Sequence, residues 1–283
     1  MPIHDLGYRH WAGEWTSHPY RWWVITRQGI RMLVQKKRFL VLMILSAIPF
    51  VVRSVMIYIT TLVGDSARRI SLLTINAKFF EDFLSQQMFF TFLIAIYAGA
   101  GLVANDLKAN ALQIYLSKPI TRRDYMLGKL GVLVFFLALP TLVPGLLLFL
   151  LAVLFQSDLT FLRENYWVLA SILGYSLVIV LTYALIVLAL SSMTQSSRFA
   201  GISFAAVFFF SQILYGILSQ ILRTTQVAWV SIGNNLSQVG DLLFRHAPQY
   251  RSPAWVSVVI LAALVAGSAW IVHRRVQAVE VVS

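Results

Sequence analysis

The sequence predicts an all-α polytopic membrane protein of six transmembrane helices, and three observations carry that prediction. Of the 283 residues, 59% are hydrophobic and only 12% charged, with a mean hydropathy of +0.75, too apolar for a soluble domain. Six stretches reach the roughly 20 apolar residues that a helix needs to cross the hydrocarbon core. Lysine and arginine are concentrated in alternate connections between those stretches, the asymmetry that orients membrane helices. The net charge of +12 is therefore read as topology, and no nucleic-acid partner is expected. With no cysteine in the chain, disulfides, thiolate metal sites and cysteine nucleophiles are excluded.

Residues 1–38 precede the first span and lack the apolar core and small-residue cleavage site of a signal peptide, so they are expected to remain in the mature protein. Trp11, Trp15, Tyr20, Trp22 and Trp23 alternate with Arg9, Arg21, Arg27, Arg31, Lys36, Lys37 and Arg38, the mix found where rings sit at headgroup level and cations face anionic lipid. From Pro19 to Arg38 the spacing of Trp22, Ile25, Met32 and Phe39 predicts an amphipathic helix on the cytoplasmic membrane surface.

The spans are placed near 39–61, 87–104, 126–155, 167–190, 199–222 and 253–272. Pro140 and Pro144 predict a kink in the long third one. An inside N-terminus leaves most basic residues in the cytoplasm and only Arg68, Arg69, Lys78, Arg163, Arg223, Arg245 and Arg251 outside, so both termini are expected to be cytoplasmic. In the first outer loop, Phe79, Phe80, Phe83 and Leu84 suggest a short helix on the outer interface. In the outer region 223–252, Leu236, Val239, Leu243 and Phe244 recur at helical spacing with Asn234, Asn235, Gln238 and Asp241 between them, which suggests an interfacial or re-entrant hairpin. No repeat or linker divides the chain, so one transmembrane domain is expected over 1–283, comprising the 1–38 segment, the 39–272 bundle and a 273–283 tail.

Few residues inside the spans carry chemistry. Arg53 lies eight residues from the outer end of its span, roughly 12 Å at the helical rise, so its stem reaches the headgroups; snorkelling is favoured there over a substrate or interhelical contact. Ser203, Ser211, Gln212 and Gln220 in the fifth span are candidates for lining a pathway or for joining helices. Ala98-Gly99-Ala100-Gly101 permits close helix approach. No carboxylate is placed within a span, and His4, His10, His18, His246 and His273 fall in the polar ends, so proton relays, intramembrane hydrolysis and metal binding are not expected. Gly128-Lys129 lacks the remaining residues of a phosphate-binding loop, and the chain is not expected to be an enzyme.

The densest polar stretch is the island Asn105 to Lys129. Leu107, Ala111 and Ile114 recur at helical spacing, while Lys108, Asn110 and Gln113 fall on other faces, which predicts a short amphipathic helix over 107–118. Pro119 stops it. Thr121 with Asp124 three residues later fits a capping box, from which a new helix runs into the third span.

Asn105-Asp106 at the end of one span, Leu116-Ser117-Lys118-Pro119-Ile120-Thr121-Arg122, and Gly128-Lys129 at the start of the next resemble the permease subunits of type-2 ATP-binding-cassette exporters. The six-span layout resembles that family over nearly the whole chain. The resemblance implies that the 1–38 segment contains an elbow helix, that the outer hairpin precedes the last span, and that the island is a coupling helix docking in a cleft of a separate ATPase. Asp106, Lys108, Asn110, Gln113, Ser117, Lys118, Pro119, Thr121, Arg122, Arg123 and Asp124 are then the docking residues. It further implies two ATPase copies carrying ATP and magnesium, a second permease copy in a homodimer, and the bacterial inner membrane as location. Many subfamilies carry an acidic residue and a Gly-Thr-like pair where this chain has Ala109-Asn110-Ala111, which leaves subfamily and substrate open. A nearly uncharged pathway suggests a hydrophobic or amphipathic export substrate. The alternative is a component that transmits ATPase-driven force to an envelope machine with a periplasmic partner, without itself passing a substrate.

Overall fold

The computed structural model describes residues 20–63, 75–111, 120–155 and 160–276. Helix is the only regular structure among them. Among the described residues, six helical segments are long and apolar enough to cross a membrane: Lys37–Thr60, Ala77–Lys108, Arg122–Phe155, Leu162–Ser192, Ser197–Leu222 and Ala254–Arg275. Each overlaps one expected span; most bounds agree to within a few residues, but the second begins at Ala77, ten residues before the expected start at 87.

Helix α1 (Arg21–Val34) carries Ile25, Thr26, Gly29 and Leu33 on one buried stripe, the spacing of an amphipathic helix. The helix is shorter than expected, because the backbone turns extended at Lys36 before α2 (Lys37–Ser46) begins. At Ala47, α2 gives way to α3 (Ile48–Val63). Pro49 has no N–H to offer the Leu45 carbonyl and its ring crowds that turn, so the first span is kinked there as well as the third.

Helix α4 (Ala77–Gly99) starts at Asn76, whose side chain accepts a hydrogen bond from the Phe79 amide at 3.1 Å. The separate surface helix expected at Phe79–Leu84 is instead the first part of this span. A helix capped at Asn76 has nothing to stop it before Gly99, and Phe80, Phe83 and Leu84 are buried in its first turns. Short α5 (Ala104–Lys108) follows a turn. The third span consists of α6 (Arg122–Ala138) and α7 (Leu142–Phe155), broken around Pro140 as the sequence predicts. Next come α8 (Thr160–Ser192), α9 (Ser197–Leu222), a 3-10 turn (Gln226–Val230), α10 (Ile232–Leu243) and α11 (Ala254–Arg275).

The bundle is organised around α8, the most enclosed span, on which α4, α6, α7, α9 and α11 all pack. Its Tyr175, Ile179 and Val187 are fully buried, and Tyr183 stacks on Phe208 of α9 at 4.9 Å between ring centres. Helix α9 and the α2–α3 pair expose most of their apolar surface. Between helices in lipid, association rests on close van der Waals contact more than on hydrophobic burial, so small residues matter. A β-carbon on Gly99 would lie 2.5 Å from Val187 Cγ1, so the close approach anticipated at this glycine is used by α4 against α8.

The spans alternate in direction. Phe39 at the start of α2 stacks on Tyr97 near the end of α4, with ring centres 5.5 Å apart, and Tyr58 of α3 meets Phe155 of α7 at 5.9 Å. The described chain ends therefore share one end of the bundle with α5. The start of α4 and α10 share the other, about 34 Å away at the helical rise.

Candidate functional site

The α5 end is built from a break in the second span. The chain leaves α4 at Gly99 and re-enters helix at Ala104, which frees backbone groups that lipid cannot satisfy. Ser191 of α8 satisfies three of them: its hydroxyl accepts from the amides of Val103 at 3.1 Å and Ala104 at 3.0 Å, and donates to the Ala100 carbonyl at 2.8 Å. That clamp fixes the direction of α5 and carries Asp106 toward α6.

Asp106 Oδ2 lies 2.7 Å from Lys129 Nζ and accepts the Tyr125 hydroxyl at 2.7 Å. Lys129 and Tyr125 are one helical turn apart on α6, so both reach the same carboxylate, and the ammonium also lies 5.4 Å from the Tyr125 ring centre. Both side chains are buried, with Asp106 half-buried. The two ends of the charged island are thereby tied together by one ion pair. The sequence marks Lys129 only as part of the Gly128-Lys129 pair and as a cation at the edge of the third span; its pairing with Asp106 is visible only in the fold.

At the start of α6 the capping box forms as predicted. Thr121 Oγ1 accepts from the Asp124 amide at 3.2 Å, and Asp124 Oδ2 accepts from the Thr121 amide at 3.0 Å and the Thr121 hydroxyl at 2.7 Å. The adjacent Arg122 and Arg123 point outward and are exposed, as are Lys108 and Asn110 at the other margin. Asn110 takes a left-handed conformation with φ of 50°, which ends α5, so the helix expected over 107–118 does not run unbroken from Leu107 to Ala111. Gln113, Ser117, Lys118 and Pro119 lie outside the described residues.

Helix α1 completes this end by packing on α6. Thr26 Oγ1 donates to the Gly128 carbonyl at 3.0 Å. A β-carbon on Gly128 would stand 2.7 Å from Ile25 Cβ and 2.9 Å from the Trp22 carbonyl oxygen, so only glycine permits this approach. The apolar stripe of α1 therefore faces protein, and Tyr20, Trp23 and Val24 are left exposed.

The opposite end holds charges that the sequence places in solvent. Because α4 starts at Ala77, Glu81 is carried inside and is 2% exposed. Its Oε2 lies 3.1 Å from Lys78 Nζ and 3.4 Å from His246 Nε2, while Lys78 also lies 3.4 Å from Asp82 and 4.0 Å from Asp241. A carboxylate does occupy the span region, contrary to expectation. His246 is half-buried in this cluster rather than solvated, and desolvation, followed by the nearby Lys78 ammonium, holds its pKa below the usual histidine value. Arg53 turns toward the same end but stops over the Phe79 ring, 4.7 Å from its centre, so it makes an interhelical cation–π contact and does not simply snorkel.

The fifth-span candidates divide. Gln212 Oε1 accepts the Ser231 hydroxyl at 2.6 Å and Ser211 Oγ faces the Ile232 amide at 3.4 Å, so both hold the start of α10 against α9. Ser203 and Gln220 are exposed. On α10 the polar face is buried: Gln238 donates to the Ser252 carbonyl at 2.7 Å and accepts the hydroxyls of Ser252 at 3.1 Å and of Ser257. His273 is exposed in the last turn of α11, and His4, His10 and His18 lie outside the described residues. Among the described residues no group of His, Asp or Glu is arranged to hold a metal ion.

The chain from residue 23 to residue 270 is similar to the family described as ABC-2 family transporter protein. No curated protein matches it.

Proposed function

The chain belongs to the ABC-2 transporter family and is the membrane component of an ATP-binding-cassette transporter, and on that premise we propose that the island at 105–129 is where a separate ATPase docks and drives it. The observation that carries this reading is the contrast within the island. Its outward groups, Lys108, Asn110, Arg122 and Arg123, are exposed, whereas its margins are anchored by Asp106–Lys129, Tyr125 and the Ser191 clamp into α4, α6 and α8. A push on the exposed groups is delivered to three spans at once, which suits a lever better than a connector. Docking on this end puts it in the cytoplasm with both chain termini, in agreement with the basic residues gathered there. The exposed apolar faces of α9 and α2–α3 leave surface for a second permease copy in a two-fold assembly with two ATPases. The substrate class that fits is hydrophobic or amphipathic, exported from the inner membrane.

The test is the double change Lys108→Glu plus Arg122→Glu in the complex purified with its ATPase. A charge reversed within a complementary interface costs on the order of a few kcal/mol, so the ATPase should be lost on purification or hydrolyse ATP without transport, while membrane insertion stays normal. Full association with coupled turnover would return the island to the status of a solvated loop.

A further inference from the structure

A cavity of about 800 Å³ opens at the α5 end between α1, the last turns of α4 and the start of α9. That volume is within the usual range for sites holding a small molecule. Two features of its lining specify the ligand. Lys36 and Arg198 are exposed at its margin and neither has a carboxylate partner among the described residues; Asp106, the acidic group in the wall, is already engaged by Lys129 and Tyr125. Lys36 immediately precedes the first span and Arg198 is the second residue of the fifth, which puts both cations at the edge of the apolar layer. The remaining wall runs inward from them: Ile202 and Ala205 are one and two turns beyond Arg198, about 6 and 10 Å deeper, and Ile96 and Tyr97 face the same space from α4.

The charge and the depth profile together fit an anion at headgroup level joined to an apolar chain. A soluble anion would leave the apolar wall unused, and a neutral hydrocarbon would leave Arg198 and Lys36, whose ammonium lies 5.9 Å from the Tyr97 ring centre, without an opposite charge. We propose that this cavity is a binding site for an anionic membrane lipid, a phosphate-headed amphiphile of the leaflet at the α5 end, with its head on Lys36 and Arg198 and its chain along Tyr97, Ile202 and Ala205. The site requires only that the chain sits in a bilayer and does not rest on the ATPase reading. Its wall includes Asp106 and Lys129, so the lipid lies against the ion pair that anchors the island.

The experiment uses the full chain in phosphatidylcholine nanodiscs containing a minor fraction of phosphatidylglycerol with a photoreactive group on its acyl chain. After irradiation, labelled peptides should contain residues 96–102 and 202–205. Labelling there should fall roughly tenfold in Lys36→Gln plus Arg198→Gln, the loss of two charge-assisted contacts, and persist in Lys36→Arg plus Arg198→Lys. Ala205→Phe, which fills the apolar wall and keeps both charges, should also abolish it. Unlabelled phosphatidylglycerol should compete, and neither phosphatidylcholine nor soluble glycerol phosphate should. Undiminished labelling in both the glutamine pair and Ala205→Phe, equal labelling by photoreactive phosphatidylcholine, competition by glycerol phosphate, or a cross-linked second copy covering the cavity in place of lipid would each overturn the proposal.

Discussion

Lys129 Nζ lies 2.7 Å from Asp106 Oδ2 although the whole charged island separates the two residues along the chain. The pair closes the island into a loop whose ends cannot drift apart, and both partners are at least half withdrawn from solvent. Removing one partner takes away the opposite charge that lies within 2.7 Å of the other in a largely buried setting. Lys129→Met or Asp106→Asn alone should therefore destabilise the protein by about 3–5 kcal/mol, and the double variant should regain much of that loss, because both charges of the pair are then gone. Thermal unfolding in detergent of the two single variants and the double checks this; additive losses would show that the pair is not coupled.

The approach of α1 to α6 is limited by Gly128. Gly128→Ala puts a methyl group against the Trp22 carbonyl and Ile25, and strain of this kind costs about 1–3 kcal/mol. The expected outcome is a loosened α1, seen as faster amide exchange over Arg21–Val34 with exchange in α8 unchanged. Slow exchange in α1 of the variant would mean that the contact is more accommodating than the geometry implies.

At the exposed start of α6, Thr121→Ala removes the cap oxygen and should cost about 1 kcal/mol, with Thr121→Ser close to wild type. The loss should register in the melting temperature and leave the Lys129 pairing intact. A Thr121→Ala protein as stable as wild type would show that the cap contributes nothing in the intact bundle.

Gln238 serves both as donor and as acceptor for the segment that follows α10. Gln238→Leu leaves the Ser252 and Ser257 hydroxyls and the Ser252 carbonyl without their partner, at about 1–3 kcal/mol for each buried group. Residues 244–253 should become protease-sensitive. Binding of the ATPase at the far end of the bundle should be unaffected, and its loss would indicate that the two ends are coupled.

The proposed orientation, with the α5 end in the cytoplasm, rests on the distribution of basic residues. Reporter fusions after Asn235 should read outside and fusions after Val276 inside; an inside signal at Asn235 would remove the outer hairpin and invert the placement of the island.

Much of this protein is written locally. Apolar length alone sets the six spans, because in lipid every backbone group must be paired within its own helix, and nothing further is needed to specify one. Pro140 breaks the third span and Thr121 with Asp124 caps its start, since such signals act over three or four residues. The proline rule applies equally to Pro49 in the first span, where α2 gives way to α3. What the sequence does not decide is where a span stops gathering neighbouring residues. Helix α4 takes in Phe79–Leu84 because Asn76 caps it and α7 and α8 cover it, and Glu81 is thereby buried beside Lys78 and His246. Arg53 likewise had a choice of partners that only the neighbouring Phe79 resolved. The anchoring of the island belongs to tertiary structure altogether: Ser191 and Lys129 are an ordinary serine and an ordinary lysine until α8 and α6 bring them against a broken helix end and the Asp106 carboxylate, and pairing between groups distant in the chain leaves no period or spacing for sequence reading to find.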